Sequence, residues 1–202
     1  MIKSIVFDMG KVIQDFDPIH AVAPFASDPS TRALLIDVIF KSPEWLELDR
    51  GTIDYALAEE SWCKRLPDKL HATLHEIVIS WHKFMPYYPE TVTLIKRLKQ
   101  NGYGLYLLSN ASKRFYAYQD ACEAFGLMDG IIISADFNIL KPEPGIYGLL
   151  LKKFNLSPHE CYFIDDRPEN TLAAQRLGFV TYTYSNDPEN LINDLRLHGV
   201  NI

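Results

Sequence analysis

The second half of this 202-residue sequence alternates short apolar runs with helical patterns, and this alternation strongly constrains the fold. Strands are predicted at residues 103–108, 131–134, 161–164 and 180–184, and helices at residues 90–100, 112–125, 144–154, 168–177 and 188–197. A strand, a helix and a second strand in succession form a right-handed unit with parallel strands. We therefore expect an α/β fold in which a Rossmann-like, mostly parallel sheet carries helices on both faces.

The segment after the first apolar run, which ends at Phe7, departs from this alternation. It contains no convincing strand, and its helical patterns lie around residues 30–40, 52–66 and 68–84. Ser42-Pro43 and Leu66-Pro67 separate these patterns. The sequence therefore predicts an all-helical cap at residues 18–85, inserted into a core that consists of residues 1–17 and 86–202.

Polar residues close or follow the apolar runs of the core. In chain order they are Asp8, Ser109 with Asn110, Lys141, and Asp165 with Asp166. Because ligands of open parallel sheets bind beyond the carboxyl ends of the strands, we expect these side chains to meet at one edge. Phosphoryl transfer through an aspartyl-phosphate requires such a set of carboxylates, a hydroxyl and an ammonium group.

Three carboxylates in one cleft would repel a phosphate group unless positive charge offsets them. Hard oxygen ligands with open water positions favour Mg²⁺. We expect Asp8 to attack phosphorus with one oxygen and to bind Mg²⁺ with the other. The Gly10 carbonyl and Asp166 would complete the ligand set, with Asp165 acting directly or through water.

The remaining polar residues are expected to act on the substrate. Lys141 supplies one positive charge near the transferring phosphoryl group, and Ser109 and Asn110 would bind its oxygens together with nearby backbone N–H groups. The predicted catalytic residues are thus Asp8, Ser109 and Lys141.

Four segments of the sequence together resemble the motifs of the haloacid dehalogenase (HAD) superfamily. They are Phe7-Asp8-Met9-Gly10-Lys11-Val12, Leu108-Ser109-Asn110, Lys141-Pro142-Glu143-Pro144, and Phe163-Ile164-Asp165-Asp166-Arg167-Pro168-Glu169-Asn170. The resemblance implies a Rossmann-like core, a C1-type helical cap, Mg²⁺ and, usually, hydrolysis of small phosphate esters. Within the superfamily the chain is most similar to the branch of sugar-phosphate phosphatases that includes a glucose-1-phosphate phosphatase. The first motif of that enzyme likewise has the form Asp-x-Gly.

Gly10 departs from the pattern of most phosphatases of the superfamily. An aspartate at that position protonates the leaving oxygen and then activates water, a contribution typically worth about 10²–10⁴ in rate. An anomeric sugar oxygen leaves more easily than an ordinary alkoxide, so a glycosyl phosphate would depend less on this acid. Alternatively Asp15, Asp17 or a group of the cap could supply the proton.

The cap sequence offers further residues that could touch a substrate. They are Trp45, Asp49, Arg50 and Thr52. The same stretch is also typical of a helix–helix junction, with Gly51 allowing the turn.

Two other functions remain compatible with the sequence. A 2-haloacid dehalogenase would use the same aspartate to displace halide without a metal, although Gly10 and Lys11 stand where its first-motif tyrosine and halide-binding arginine are expected. A catalytically silent member of the fold would bind a ligand or partner.

Composition favours a small-molecule enzyme. The formal charge of −6 argues against a nucleic-acid partner, and no apolar run reaches membrane-spanning length. Three scattered cysteines and the absence of room for a signal peptide before Asp8 predict a cytoplasmic protein. The 48% apolar content permits a monomer or a homodimer.

Overall fold

The computed structural model describes all 202 residues, and at its centre lies a five-stranded sheet in which each pair of neighbouring strands is parallel. The strands are β1 (Ser4–Phe7), β2 (Gly104–Ser109), β3 (Gly130–Ile133), β4 (Cys161–Asp165) and β5 (Val180–Thr183). Their order in the sheet is β3-β2-β1-β4-β5. The predicted α/β fold with a parallel, Rossmann-like sheet is confirmed.

Ten α-helices accompany the sheet. They are α1 (Pro18–Val22), α2 (Pro29–Ile39), α3 (Pro43–Arg50), α4 (Tyr55–Cys63), α5 (His71–Ser80), α6 (Pro89–Gln100), α7 (Glu123–Gly126), α8 (Pro144–Phe154), α9 (Pro168–Arg176) and α10 (Pro188–Leu197). No helix is long and apolar enough to cross a membrane.

The central strands are buried on both faces, which explains why their sequences are continuous apolar runs. All four residues of β1 are buried. Ile5 and Phe7 belong to a large cluster of 41 buried apolar residues that continues into the helical insertion. Val6 belongs to a smaller cluster on the other face, where Tyr147 of α8 and Phe163 of β4 also lie. Apolar packing on both faces thus holds the sheet in place, and the polar residues lie at the carboxyl edge of this sheet.

Helices α1 to α5 lie between two linkers that are hydrogen bonded to each other. The Asp15 N–H donates to the Pro86 carbonyl at 2.7 Å, and the Tyr88 N–H donates to the Ile13 carbonyl at 2.9 Å. The insertion therefore leaves and re-enters the core at one place, beside the strand end that carries Asp8. The division into a cap at residues 18–85 and a core stays a prediction.

Two helical segments differ from the sequence prediction. Ser42-Pro43 separates two helices as predicted, but the helix that follows it is α3 (Pro43–Arg50), which lies outside the predicted helical patterns. The Ser42 side chain accepts the Trp45 N–H, so this pair caps and begins a helix. The helix expected at residues 112–125 is instead two short 3₁₀ segments followed by α7.

Candidate active site

The ends of β1, β2 and β4 bring the predicted site residues together. Phe7 is paired with Leu107 and with Ile164, so Asp8 lies level with the last residues of both neighbouring strands. The Asp8 N–H donates to the Ile164 carbonyl at 2.8 Å. Strands β2 and β3 lie on one side of β1, and β4 and β5 lie on the other, so the order of the strands reverses beside β1. Open α/β sheets bind their ligands at such a point.

Lys141 lies at the centre of this group. Its Nζ is 2.7 Å from Asp8 Oδ1 and 2.7 Å from Asp165 Oδ2, and it donates to the Leu108 carbonyl at 2.8 Å. All three of its donors are therefore used, and the ammonium group is almost completely buried. Burial disfavours its charge, but the two carboxylates outweigh this and raise the pKa of Lys141.

Asp165 and Asp166 have different surroundings although they are adjacent. Asp165 is completely buried, and its Oδ1 accepts from the Arg167 N–H at 2.9 Å and from Asn170 Nδ2 at 2.9 Å. Its Oδ2 accepts from Lys141 at 2.7 Å and from Asn170 at 3.1 Å. Asp166 is partly exposed and borders the cavity in front of Asp8.

Carboxylate oxygens of Asp8, Asp165 and Asp166 all lie within 4.8 Å of one another. Oxygen donors of this kind suit a hard divalent cation such as Mg²⁺. The residues present therefore fit the predicted metal. Asp165 already has four hydrogen bonds, so Asp8 and Asp166 are the carboxylates with free coordination capacity.

Asp8 has an unusual environment for a carboxylate. Loss of hydration raises the pKa of Asp8 to about 7, against the opposing charge of Lys141. The nearby charges of Asp165 and Asp166 act in the same direction as burial. Clustered negative charges in a cleft destabilise the folded state, and such clusters are typical of functional sites.

Asn110 and Ser109, both predicted to bind the phosphoryl group, occupy different positions. The Asn110 side chain donates to the Lys141 carbonyl at 2.9 Å and accepts the Lys141 N–H at 2.8 Å, so it fixes the lysine loop. Asn110 also borders the cavity, whereas Ser109 is buried and is not among the lining residues. Their contact with a phosphoryl group stays a prediction.

A cavity of about 650 Å³ opens between this edge of the sheet and the helical insertion. The core contributes Asp8, Gly10, Asn110, Lys141 and Asp166, and the insertion contributes aromatic residues and Asp49. The aromatic wall consists of Phe40, Trp45 and Trp81 of the insertion together with Phe16 and Tyr118 of the core. Neighbouring rings contact each other, with centroids 4.5 Å apart for Phe40 and Trp45.

Of the cap residues that could touch a substrate, Trp45 and Asp49 border the cavity, but Gln14 and the other aromatic residues of the wall were not predicted as parts of the site. Gln14 borders the cavity and is fully buried, and neither its Oε1 nor its Nε2 has a hydrogen-bond partner. Aromatic residues in a helical segment ordinarily predict a core, so only the packing of the insertion over the sheet could reveal this wall.

Comparisons with known proteins agree with the fold and the motifs. A D-ribitol-5-phosphate phosphatase of Bacteroides thetaiotaomicron is 29% identical along an alignment of 204 positions that covers 94% of this chain and 93% of that protein. A sesquiterpene phosphatase of Aspergillus oryzae is 28% identical over 182 residues, covering 88% and 87%. A HAD family enzyme from Bacteroides thetaiotaomicron, solved with magnesium and inorganic phosphate, has the same fold, with a TM-score of 0.71, 23% identity and coverage of 95% and 99%.

The family assignment follows from a sequence pattern that covers most of the chain. The pattern of the haloacid dehalogenase-like hydrolases matches residues 2–178, from β1 to the end of the α9 region. This range contains all four motifs and the helical insertion. The chain belongs to the haloacid dehalogenase-like hydrolase family.

Proposed function

We propose that this protein is a Mg²⁺-dependent phosphatase that hydrolyses a small phosphate ester through an aspartyl-phosphate at Asp8. The observation that carries the proposal is the contact of Asp8 with Lys141 at 2.7 Å, beside two further carboxylates and at the floor of an open cavity. A nucleophilic carboxylate next to a fixed cation and a hard-metal site is suited to phosphoryl transfer.

Asp8 attacks phosphorus with a carboxylate oxygen, and the bond between phosphorus and the alcohol oxygen breaks. Lys141 stabilises the negative charge on the transferring group because its position is fixed by Asp165 and by the Leu108 carbonyl. Water then hydrolyses the aspartyl-phosphate and frees the Asp8 carboxylate. Asp8, the Gly10 carbonyl and Asp166 would hold Mg²⁺, with Asp165 behind them. When bound, Mg²⁺ supplies positive charge that offsets the carboxylates and the phosphate.

The names of several relatives support a phosphatase. Besides the D-ribitol-5-phosphate phosphatase and the sesquiterpene phosphatase, a phosphoglycolate phosphatase of Vibrio vulnificus is 27% identical over 90% of this chain. The related HAD enzyme of known structure was solved with magnesium and phosphate. The free cysteines Cys63, Cys122 and Cys161 support placement in the reducing cytoplasm.

The leaving group that fits the cavity best is a sugar or polyol, with glucose 1-phosphate as the first candidate. Partly exposed aromatic rings at Phe16 and Trp45 offer flat apolar surfaces, and charged groups at Lys41, Asp49 and Arg167 border the same space. Sites that combine aromatic walls with a few polar groups orient ligands that have both kinds of surface.

An isoprenoid phosphate is the competing substrate, because the aromatic wall would also suit a hydrocarbon chain. A hydrocarbon would leave both polar atoms of the buried Gln14 amide without a hydrogen-bond partner. Each unpaired buried polar group costs about 1–3 kcal/mol. The polar lining therefore favours a hydroxylated leaving group.

A substrate panel tests the proposal. Purified protein and the variant Asp8→Asn would be incubated with glucose 1-phosphate, ribitol 5-phosphate, phosphoglycolate, farnesyl phosphate and 2-chloropropionate, each with and without Mg²⁺. The proposal expects Mg²⁺-dependent release of phosphate, fastest from a sugar or polyol phosphate and lost in the variant.

Other outcomes would contradict this function. Halide release without metal would make the protein a 2-haloacid dehalogenase. Preference for farnesyl phosphate would retain the phosphatase and overturn the sugar assignment. Lack of turnover on every compound would leave a catalytically silent binding protein.

A further inference from the structure

We infer that Asp49, on helix α3 of the insertion, is the proton donor to the leaving-group oxygen in place of the aspartate that Gly10 lacks. This inference rests on the proposed phosphatase activity. It assigns the acid–base step to a residue outside the four motifs, supplied by the helical insertion.

The lining of the cavity leaves one carboxyl group without a role. Asp8, Asp49 and Asp166 are the acidic residues that border the space in front of the nucleophile. Asp8 is the nucleophile and Asp166 is a proposed metal ligand. Asp49 alone is neither, and it comes from helix α3 of the insertion, whereas Asp8 and Asp166 come from strand ends of the core.

The two other candidates near the first motif are already engaged. Asp15 accepts from Lys11 at 2.7 Å and from the Tyr88 hydroxyl at 2.9 Å, and these bonds lower the pKa of Asp15. Asp17 accepts the Ile19 N–H at 3.0 Å and caps α1. Neither residue borders the cavity. They are therefore poorly placed and poorly suited to donate a proton.

The end of α3 is fixed to the core, which gives Asp49 a defined position. The Ser134 hydroxyl donates to the Asp49 carbonyl at 2.5 Å. Gly51 follows with a φ of +80°, and a Cβ at that residue would lie 2.2 Å from the Ala135 carbonyl oxygen. The backbone of α3 thus contacts the core at a place where only glycine fits.

Arg50 adds a second attachment beside Asp49. Its guanidinium is 2.7 Å from a carboxylate oxygen of Glu143 and donates to the Asn138 carbonyl at 3.3 Å. The Asn138 amide in turn donates to the Arg50 carbonyl at 3.0 Å. Glu143 and Asn138 flank Lys141, so the loop that carries the catalytic lysine also holds the helix that carries Asp49.

The surroundings of the Asp49 carboxyl favour its protonated form. Loss of hydration raises the pKa of Asp49 well above the usual range, the Ser112 N–H opposes this, and the charge of Asp8 adds to the rise. Tyr55 of α4 and Tyr118 are the other titratable groups that interact with it. Arg114 lies over the Tyr55 ring, 4.1 Å from its centroid. The cations that border the cavity are Lys11, Lys41, Lys141 and Arg167.

The proton and electron balance of the two steps is simple. In the first step Asp8 forms a bond to phosphorus, the bond from phosphorus to the alcohol oxygen breaks, and that oxygen takes the proton of Asp49. In the second step water attacks phosphorus and gives a proton back to Asp49, and the electrons of the phosphorus–Asp8 bond return to the Asp8 carboxylate. Alcohol and inorganic phosphate leave, and the protein is unchanged.

The test compares two leaving groups in the variant Asp49→Asn. An alkyl phosphate needs a proton donor, whereas 4-nitrophenyl phosphate releases a stable phenolate and does not. We expect release of alcohol in the first turnover to fall at least ~100-fold for glucose 6-phosphate or another accepted alkyl phosphate. Release of nitrophenol in the first turnover should change less than about threefold.

Glu47→Gln is the matched control. Glu47 lies on the same helix and contacts Thr52, away from the cavity. It should leave both rates unchanged and should show that loss of a carboxylate from α3 is not itself harmful. The wild-type rate on the alkyl phosphate should fall at alkaline pH, where Asp49 loses its proton, and this decline should be absent in Asp49→Asn.

Each remaining outcome overturns the inference. Equal losses on both substrates would mean that Asp49 only positions the insertion, and no loss on either would mean that it has no part in the reaction. If the wild-type protein hydrolyses neither ester in the presence of Mg²⁺, the proposed phosphatase itself fails, and the inference fails with it.

Discussion

The Lys141 ammonium group lies 2.7 Å from a carboxylate oxygen of Asp8, and both side chains are buried at the end of the central strand. In the proposed reaction the Asp8 carboxylate would meet the phosphate ester with its charge already compensated by Lys141. The same contact links the proposed chemistry to stability, because a buried charge that loses its partner destabilises the folded state.

Replacing Lys141 by Met should abolish turnover and reduce the free energy of unfolding by ~3 kcal/mol, because Asp8 and Asp165 would remain buried without a cation. Urea unfolding with and without the substitution measures this. Lys99→Met is the control, since Lys99 is 2.5 Å from Asp129 at the surface and should contribute less than about 1 kcal/mol. Similar losses for the two variants would contradict the role of Lys141.

Adjacent acidic residues at the end of β4 should have separable roles. Asp166→Asn should weaken Mg²⁺ binding more than about tenfold with little change in stability, because Asp166 is partly exposed and borders the cavity. Asp165→Asn should reduce the free energy of unfolding by about 3 kcal/mol, because it disturbs the bonds to Lys141 and Asn170.

Calorimetric titration with Mg²⁺ and thermal unfolding, applied to both variants, would check this division. If Asp165→Asn were as stable as the wild type and lost Mg²⁺ more completely than Asp166→Asn, the assignment of the direct ligand would have to be reversed.

Glu44 holds α3 against α4 and should give the insertion a pH-dependent stability. Burial alone would raise the pKa of Glu44, but bonds from Ser61 and Arg65, each 2.6 Å long, outweigh it and lower the pKa to about 2. Because the pKa of Glu44 is lower in the folded than in the unfolded protein, its ionised carboxylate stabilises the fold at pH values above the unfolded pKa near 4.5. This stabilisation is lost as the pH falls towards 2.

Glu44→Gln should therefore be less stable than the wild type by roughly 1 kcal/mol or less at pH 7, since the pair is partly exposed. The difference should vanish near pH 2. Thermal unfolding of both proteins over this pH range measures it, and a difference that did not depend on pH would point to packing instead of charge.

Gly10→Asp should change the rate on ordinary alkyl phosphates little while Asp49 is present, because it adds a second proton donor, two residues after Asp8, to a site that already has one. The structure has room for the change: a Cβ at Gly10 would lie 3.6 Å from the Phe16 Cβ, an ordinary contact. The same substitution should partly restore the alkyl phosphate activity that Asp49→Asn loses. Steady-state rates of the single and double variants check both expectations, and a double variant no faster than Asp49→Asn would contradict the loss of a proton donor as the defect of Asp49→Asn.

Much of the core could be predicted from the sequence because each of its strands corresponds to a local run of apolar residues. The apolar runs that precede Asp8, Asn110 and Asp166 are β1, β2 and β4, and each ends where the prediction placed it within one residue. Their polar neighbours then meet by geometry alone, since parallel strands share one carboxyl edge.

The parts that could not be predicted depend on contacts between distant segments. Helix α3 lies outside the predicted helical patterns, and the position of Asp49 depends on the contact of its backbone carbonyl with Ser134, 85 positions away in the chain. The different environments of Asp165 and Asp166 likewise depend on Lys141 and Asn170. No local pattern specifies these arrangements.

The most direct measurement is chemical trapping of the covalent intermediate. The protein would be mixed with Mg²⁺ and an accepted phosphate ester, quenched in acid and reduced with borohydride, which converts an aspartyl-phosphate to homoserine, and the peptides would be sequenced by mass spectrometry. The account predicts homoserine at position 8 and nowhere else. An adduct at any other residue, or turnover without one, would contradict it.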